Sequence, residues 1–322
     1  RSTGERLAVW LLAFSTAVVV VQLLVLGGQL DVGSARQIAN TGSLSGAVIG
    51  GLLFGIGMVM TRGCASRLLV LSANGNLRAL LSGFVFAAAA QASLGGMLVG
   101  PRLWLSNLWT IDGGAPRDLL VQLGLNRWGG LALGLVWMAA AVFFALRSAN
   151  RFWMWVGGIG SGLAVAAAWW FSAAVARASF EVVPVQGLTF SGPSAEWLMR
   201  VISTSASHGG FDYGMLPGVF VGSLLGALVG REFKIEGFKD GYSMARYIAG
   251  AVAMGFGATM AGGCAVGAGV SGGALFALTA WLSLLAMWVG AGLADLLFDH
   301  GGGAPAPAPT ATCGTPGLAM QP

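Results

Sequence analysis

Eight apolar runs, at residues 7–27, 46–61, 79–100, 129–146, 153–176, 214–230, 246–261 and 274–298, constrain this chain more than any other feature. In hydrocarbon every backbone N–H and C=O must find its partner inside the protein, which leaves helices or a closed barrel. A barrel needs alternating segments of about ten residues, and none is sustained here. Charged residues make up only 9% of the chain and the mean hydropathy is +0.78, too little polar surface to wet a soluble globule of 322 residues. The expected fold is all-α: a polytopic transmembrane helical bundle, one domain over 1–299, with membrane lipid around it. Residues 300–322 are Pro/Ala/Gly-rich and read as a disordered tail.

Fifty-three glycines suit helices that pack backbone to backbone. The first run, long enough to span, reads as a retained helix and not as a cleaved signal. The net charge of +5 is spread over the connections without a basic patch interleaved with aromatics, so nucleic acid is not an expected partner. The charges report topology instead. Arg1, Arg6, Arg62, Arg67, Arg78, Arg147, Arg151, Arg231, Lys234, Lys239 and Arg246 fall on one side, and Arg36, Arg102, Arg117, Arg127, Arg177 and Arg200 on the other. Eleven against six makes the N-terminus cytoplasmic. The 101–128 connection, with Trp104, Trp109 and Trp128, reads as an interfacial loop, and PVQGLTFSGPS at 184–194 as a partly ordered outer loop.

One phrase occurs twice. Residues 50–65 and 250–265 match without a gap at Gly50/Gly250, Gly55/Gly255, Gly57/Gly257, Met60/Met260, Gly63/Gly263, Cys64/Cys264 and Ala65/Ala265. Each copy ends an apolar run shorter than the roughly 20 residues that cross a bilayer. Five runs separate the copies, so they point in opposite directions, and the chain reads as inverted repeats over roughly 40–150 and 151–299. Short, broken, glycine-rich helices in matching positions of such repeats mark a transporter whose site lies near midplane. In each copy the cysteine falls where the next helix begins, among free backbone N–H groups that attract anions. Cys64 and Cys264, framed by Gly63, Gly263, Ala65 and Ala265, are the expected path residues, and Arg62 and Arg67 the expected steering charges. A thiol is a weak, polarisable donor without fixed charge, able to touch a soft sulphur anion and release it.

Other chemistry finds little support. The cysteines form no CxxC pair, no histidine or carboxylate neighbours Cys64 or Cys264, and His208 and His300 lie in loops, so neither metal nor cofactor is implied. Cys313 lies in the tail and carries no expected role. No hydrolytic or phosphate-binding constellation is present, and the chain does not read as an enzyme.

The blocks TRGCASRLLVLSANGNLRAL at 61–80, LTFSGPS at 188–194, DYGMLPGVFVGSLLGAL at 212–228 and GFGATMAGGCAVGAGVSGGA at 255–274 resemble the YeeE/YedE family of bacterial inner-membrane proteins. The resemblance covers most of 40–298. It implies an inverted-repeat bundle that transports a small sulphur-containing anion, thiosulfate above all, with Cys64 and Cys264 relaying the ion by transient hydrogen bonds. Some members carry a further cysteine early in the chain; residues 1–60 hold none here, so a two-thiol relay is expected. A soluble sulphur carrier or complex partner is a further expected contact. Two alternatives stay open: a membrane scaffold for a sulphur-handling or electron-transfer complex with structural cysteines, and a membrane-bound sulphurtransferase with a persulfidated cysteine.

Overall fold

The computed structural model describes residues 3–148, 152–180, 183–202, 211–231, 233–237 and 241–298. The tail with Cys313, together with His208, His300 and Glu181, lies outside them. In chain order the helices are α1 (Thr3–Leu26), α2 (Arg36–Ala39), α3 (Leu44–Met60), α4 (Ala65–Ala73), α5 (Leu77–Gly95), α6 (Val99–Ser106), α7 (Leu119–Gln122), α8 (Arg127–Arg147), α9 (Phe152–Ala178), α10 (Ser191–Ile202), α11 (Phe211–Val229), α12 (Gly241–Met260) and α13 (Leu278–Phe298). A π-helix, Ala265–Gly272, follows α12. The protein is a polytopic helical bundle, and all eight apolar runs are helical. Seven segments are long and apolar enough to span a membrane among the described residues; Gly214–Val229 in α11 is shorter, and the helix carries Pro217.

Helix α3 sits at the centre, most extensively packed on α13 and α12. Lipid tails are as apolar as leucine, so association here rests on close van der Waals fit. Glycine supplies it. A Cβ on Gly50 would stand 2.6 Å from both the Gly257 carbonyl oxygen and the Ala261 nitrogen, and one on Gly257 would stand 2.6 Å from the Gly50 oxygen. Gly57 lies equally tight against Gly250 and Met254, so α3 and α12 run in opposite directions where they cross. The next layer repeats the pattern: Gly55 abuts Met287 and Ala291 of α13, and Gly255 abuts Phe86 and Ala90 of α5.

Helix α1 packs on α8 and α9. Phe14 stacks on Trp10 at 5.3 Å and meets Trp137 of α8 and Trp281 of α13 edge-on at 6.0 and 5.7 Å, joining this group to the centre. Gln22 Nε2 donates to the Ala274 carbonyl at 2.8 Å and fixes the turn after the π-helix.

The 101–128 connection is more than an interfacial loop. Trp104, Trp109 and Trp128 are exposed, as an interfacial anchor requires, but the backbone is ordered by α6, α7 and a two-stranded antiparallel pairing of Gly42–Ser43 (β1) with Thr110–Ile111 (β2). Asp118, buried, caps α7 through the Leu120 N–H and pairs with Arg127 at 2.8 Å. Leu119 N–H donates to Phe276 O, tying this connection to the turn before α13.

The 184–194 segment also departs from a surface loop. Val185, Gln186, Gly187, Thr189, Phe190 and Ser191 are buried. Ser271 Oγ donates to Leu188 O at 2.7 Å, and Trp169 Nε1 donates to Ser271 O at 3.3 Å. The backbone of the segment is taken up by its neighbours: Leu188 O accepts from the π-helix, and the Gln186 and Phe190 N–H groups donate to Ser172 Oγ and Cys264 Sγ.

These close approaches predict a contrast between glycines. Gly55→Leu should cost about 1–3 kcal/mol or more by overpacking, read as a lowered thermal-unfolding midpoint of detergent-purified protein. Gly83→Ala, with nothing within 4 Å of the added carbon, should leave or raise it, by up to about 1 kcal/mol.

Candidate functional site

The two copies of the phrase adopt one backbone design. Thr61 and Ala261 N–H groups donate to Gly57 and Gly257 O, both at 2.9 Å; Gly63 and Gly263 N–H groups donate to Met58 and Ala258 O, at 3.0 and 2.9 Å. The chain then turns extended at Cys64 (φ −78°, ψ 171°) and Cys264 (φ −76°, ψ −179°), each the N-cap of the helix that follows. Neither thiol caps that helix, so both sulphurs are left to other partners.

The turn before the cysteine differs. Gly262 has φ +79°, which glycine adopts at no cost, whereas Arg62 holds φ +57°. An L-residue there costs about 1–2 kcal/mol, and Thr61 helps to hold the turn, its hydroxyl donating to Gly57 O at 2.8 Å. The helices that follow differ as well: Ala65–Ala73 is α-helical and Ala265–Gly272 is π-helical. Long π stretches are rare and gather at functional sites.

Cys264 is 1% exposed and its sulphur accepts the Phe190 N–H at 3.4 Å, so the buried 184–194 segment supplies a second wall. Cys64 is half-buried, its Sγ 3.2 Å from Ser66 Oγ. Both belong to one apolar cluster with Phe54, Phe190, Met254 and Met287. Gly63 and Gly263 are buried, and Ala65 and Ala265 pack into the same cluster. Arg62 and Arg67 are exposed, and the Arg67 stem lies along Gly63. Arg78 instead stacks on Tyr247, 4.8 Å from the ring centre, and donates to its hydroxyl at 3.0 Å.

A further feature went unread in the sequence. The start of α3, the end of α12 and the 101–128 connection form a cavity of about 350 Å³, lined by Arg36, Arg102 and Arg117, with Asn40, Ser106 and Thr279 among its polar groups and no carboxylate among the described residues. Met260, Ala261 and Gly262 of the second phrase and Ala268 of the π-helix form part of its wall. Ala268 N–H donates to Cys264 O, so the cavity comes within one turn of the buried thiol. Arg117 is buried; Nη2 donates to Thr279 Oγ1 at 2.7 Å and Nη1 to Asn40 O. Burial pushes its guanidinium below the ordinary arginine range. In the sequence Arg36 lies in one connection and Arg102 and Arg117 in another, and all three register only as topology charges. Their common side was the one usable signal.

A profile described as sulphur transport matches residues 1–293. The chain belongs to this sulphur-transport family. Its relatives include the thiosulfate transporter TsuA of Escherichia coli, 25% identical over 272 residues, 78% of this chain and 74% of that protein. TsuA of Spirochaeta thermophila is 26% identical over 261 residues, 75% of this chain and 74% of that protein. Membership makes the protein a multi-pass membrane transporter of sulphur compounds and not an enzyme.

The strained turn predicts that Arg62→Gly raises stability by up to about 1 kcal/mol, seen as a higher unfolding midpoint. If Arg62 also steers anions, the same variant should slow uptake.

Proposed function

We propose that this protein carries thiosulfate across the bacterial inner membrane along a path that enters at the arginine-lined cavity and passes Cys264 and then Cys64. The observation that carries the reading is the pairing of two thiols, each at the N-cap of a helix after a matching turn, in one cluster beside a cavity whose charged groups, among the described residues, are all arginines. Three arginines concentrate a divalent anion at the entrance. Helix N-termini stabilise it past the arginines, and polarisable thiols contact it without the fixed charge that would stop it leaving. Arg62 and Arg67 receive it beyond Cys64, and Gly63, Gly263, Ala65 and Ala265 keep the passage narrow.

The reciprocal contacts of α3 with α12, with α3 packed on α13 and α12 packed on α5, support inverted repeats over roughly 40–150 and 151–299 within one transmembrane domain. On this reading the arginine cavity faces outward and the N-terminus lies in the cytoplasm, where a soluble sulphur carrier accepts the product. The names of the two relatives support thiosulfate as the substrate.

Thiosulfate uptake into vesicles, wild type against Cys64→Ala and Cys264→Ala, tests this. Loss of a weak, charge-assisted hydrogen bond along the path should lower the rate roughly tenfold or more in each variant, with protein level and unfolding midpoint little changed. Undiminished uptake in both variants rules the relay out.

A further inference from the structure

Arg117 is 7% exposed, yet its guanidinium meets only neutral acceptors, Asn40 O and Thr279 Oγ1, and its buried Nε has no partner. The adjacent carboxylate, Asp118, is committed to Arg127 at 2.8 Å. Arg102 reaches the same cavity with its Nε on Ser93 O at 2.7 Å, and Arg36 stands exposed at the rim. Three cations around about 350 Å³ repel one another, and the buried one has lost its water without gaining a counter-charge. A doubly charged oxyanion answers both costs, because a planar guanidinium presents parallel N–H groups that match two oxygens of a tetrahedral group.

We propose that Arg117 is the specificity-determining charge of the cavity, and that the cavity selects tetrahedral dianions by charge and shape regardless of a terminal sulphur, so that sulphate occupies it as well as thiosulfate. Selection for the soft sulphur then falls to Cys264 and Cys64, deeper in. The lining favours this division: among the described lining residues the only sulphur atom is that of Met260, and the polar groups are guanidinium, amide and hydroxyl, which donate equally well to any sulphur-bound oxygen. The inference rests on the reading of the site as an anion path, but it concerns binding and is separable from transport.

The test is the shift of the unfolding midpoint of detergent-purified protein on titration with sulphate, thiosulfate and nitrate at constant ionic strength, with gluconate as the inert anion. Sulphate and thiosulfate should both stabilise the wild type with similar affinity, at least about tenfold tighter than nitrate. Arg117→Gln should weaken both dianions roughly 10- to 100-fold, and Arg117→Lys should recover part of the loss, a rescue that a merely structural arginine would not give to ligand affinity. Arg117→Gln binding sulphate as tightly as the wild type overturns the proposal. If that variant does not fold, the wild type alone decides: nitrate binding as tightly as sulphate, or thiosulfate binding while sulphate does not, overturns it. Arg117-dependent sulphate binding in a protein that takes up no thiosulfate upholds this inference while removing the transport reading.

Discussion

Backbone meets backbone where α3 crosses α12, and the rest of the centre depends on that approach. Gly50 and Gly257, and likewise Gly57 and Gly250, leave no room for a single added carbon. Because the two helices run oppositely, the ends of both are held by the same contacts, and the breaks after Met60 and Met260 are placed by the crossing. Outer layers follow from it, α13 on Gly55 and α5 on Gly255. In a solvent of lipid tails there is little hydrophobic gain in burying leucine against leucine, so surfaces that fit at backbone distance are what such a bundle can use.

The polar economy of the site follows from the same geometry. A helix that breaks inside a membrane leaves N–H and C=O groups to be satisfied within the protein. Here the breaks satisfy them in matched fashion, and Phe190 adds one donor to the Cys264 sulphur. Charge is concentrated elsewhere, in the arginine cavity at the end of α12, while the described cysteine cluster is apolar apart from its thiols. Strong attraction at the entrance and weak contact at the constriction are the two demands that conduction makes on an ion path.

The helical bundle and the twin cysteine turns were legible because they rest on local features: long apolar runs, and glycines at matching spacing before Cys64 and Cys264. The cavity was not, since Arg36 comes from one connection and Arg102 and Arg117 from another, and the pairing of Gly42–Ser43 with Thr110–Ile111 joins the two around one space. The 184–194 segment misled for a related reason. Its serines, threonine and glutamine have loop composition, and only the bonds its backbone makes with Ser172, Ser271 and Cys264 make it interior. Nor could letters alone show that the segment after Cys64 would wind as an α-helix and the segment after Cys264 as a π-helix.

That both thiols line one anion path is tested most directly by substrate protection. Membranes are treated with a small charged alkylating reagent with and without thiosulfate, and modification at Cys64 and Cys264 is followed separately by peptide mass spectrometry. A shared path predicts that thiosulfate slows alkylation of both cysteines over the same concentration range. Alkylation of either one at an unchanged rate under saturating thiosulfate would contradict it.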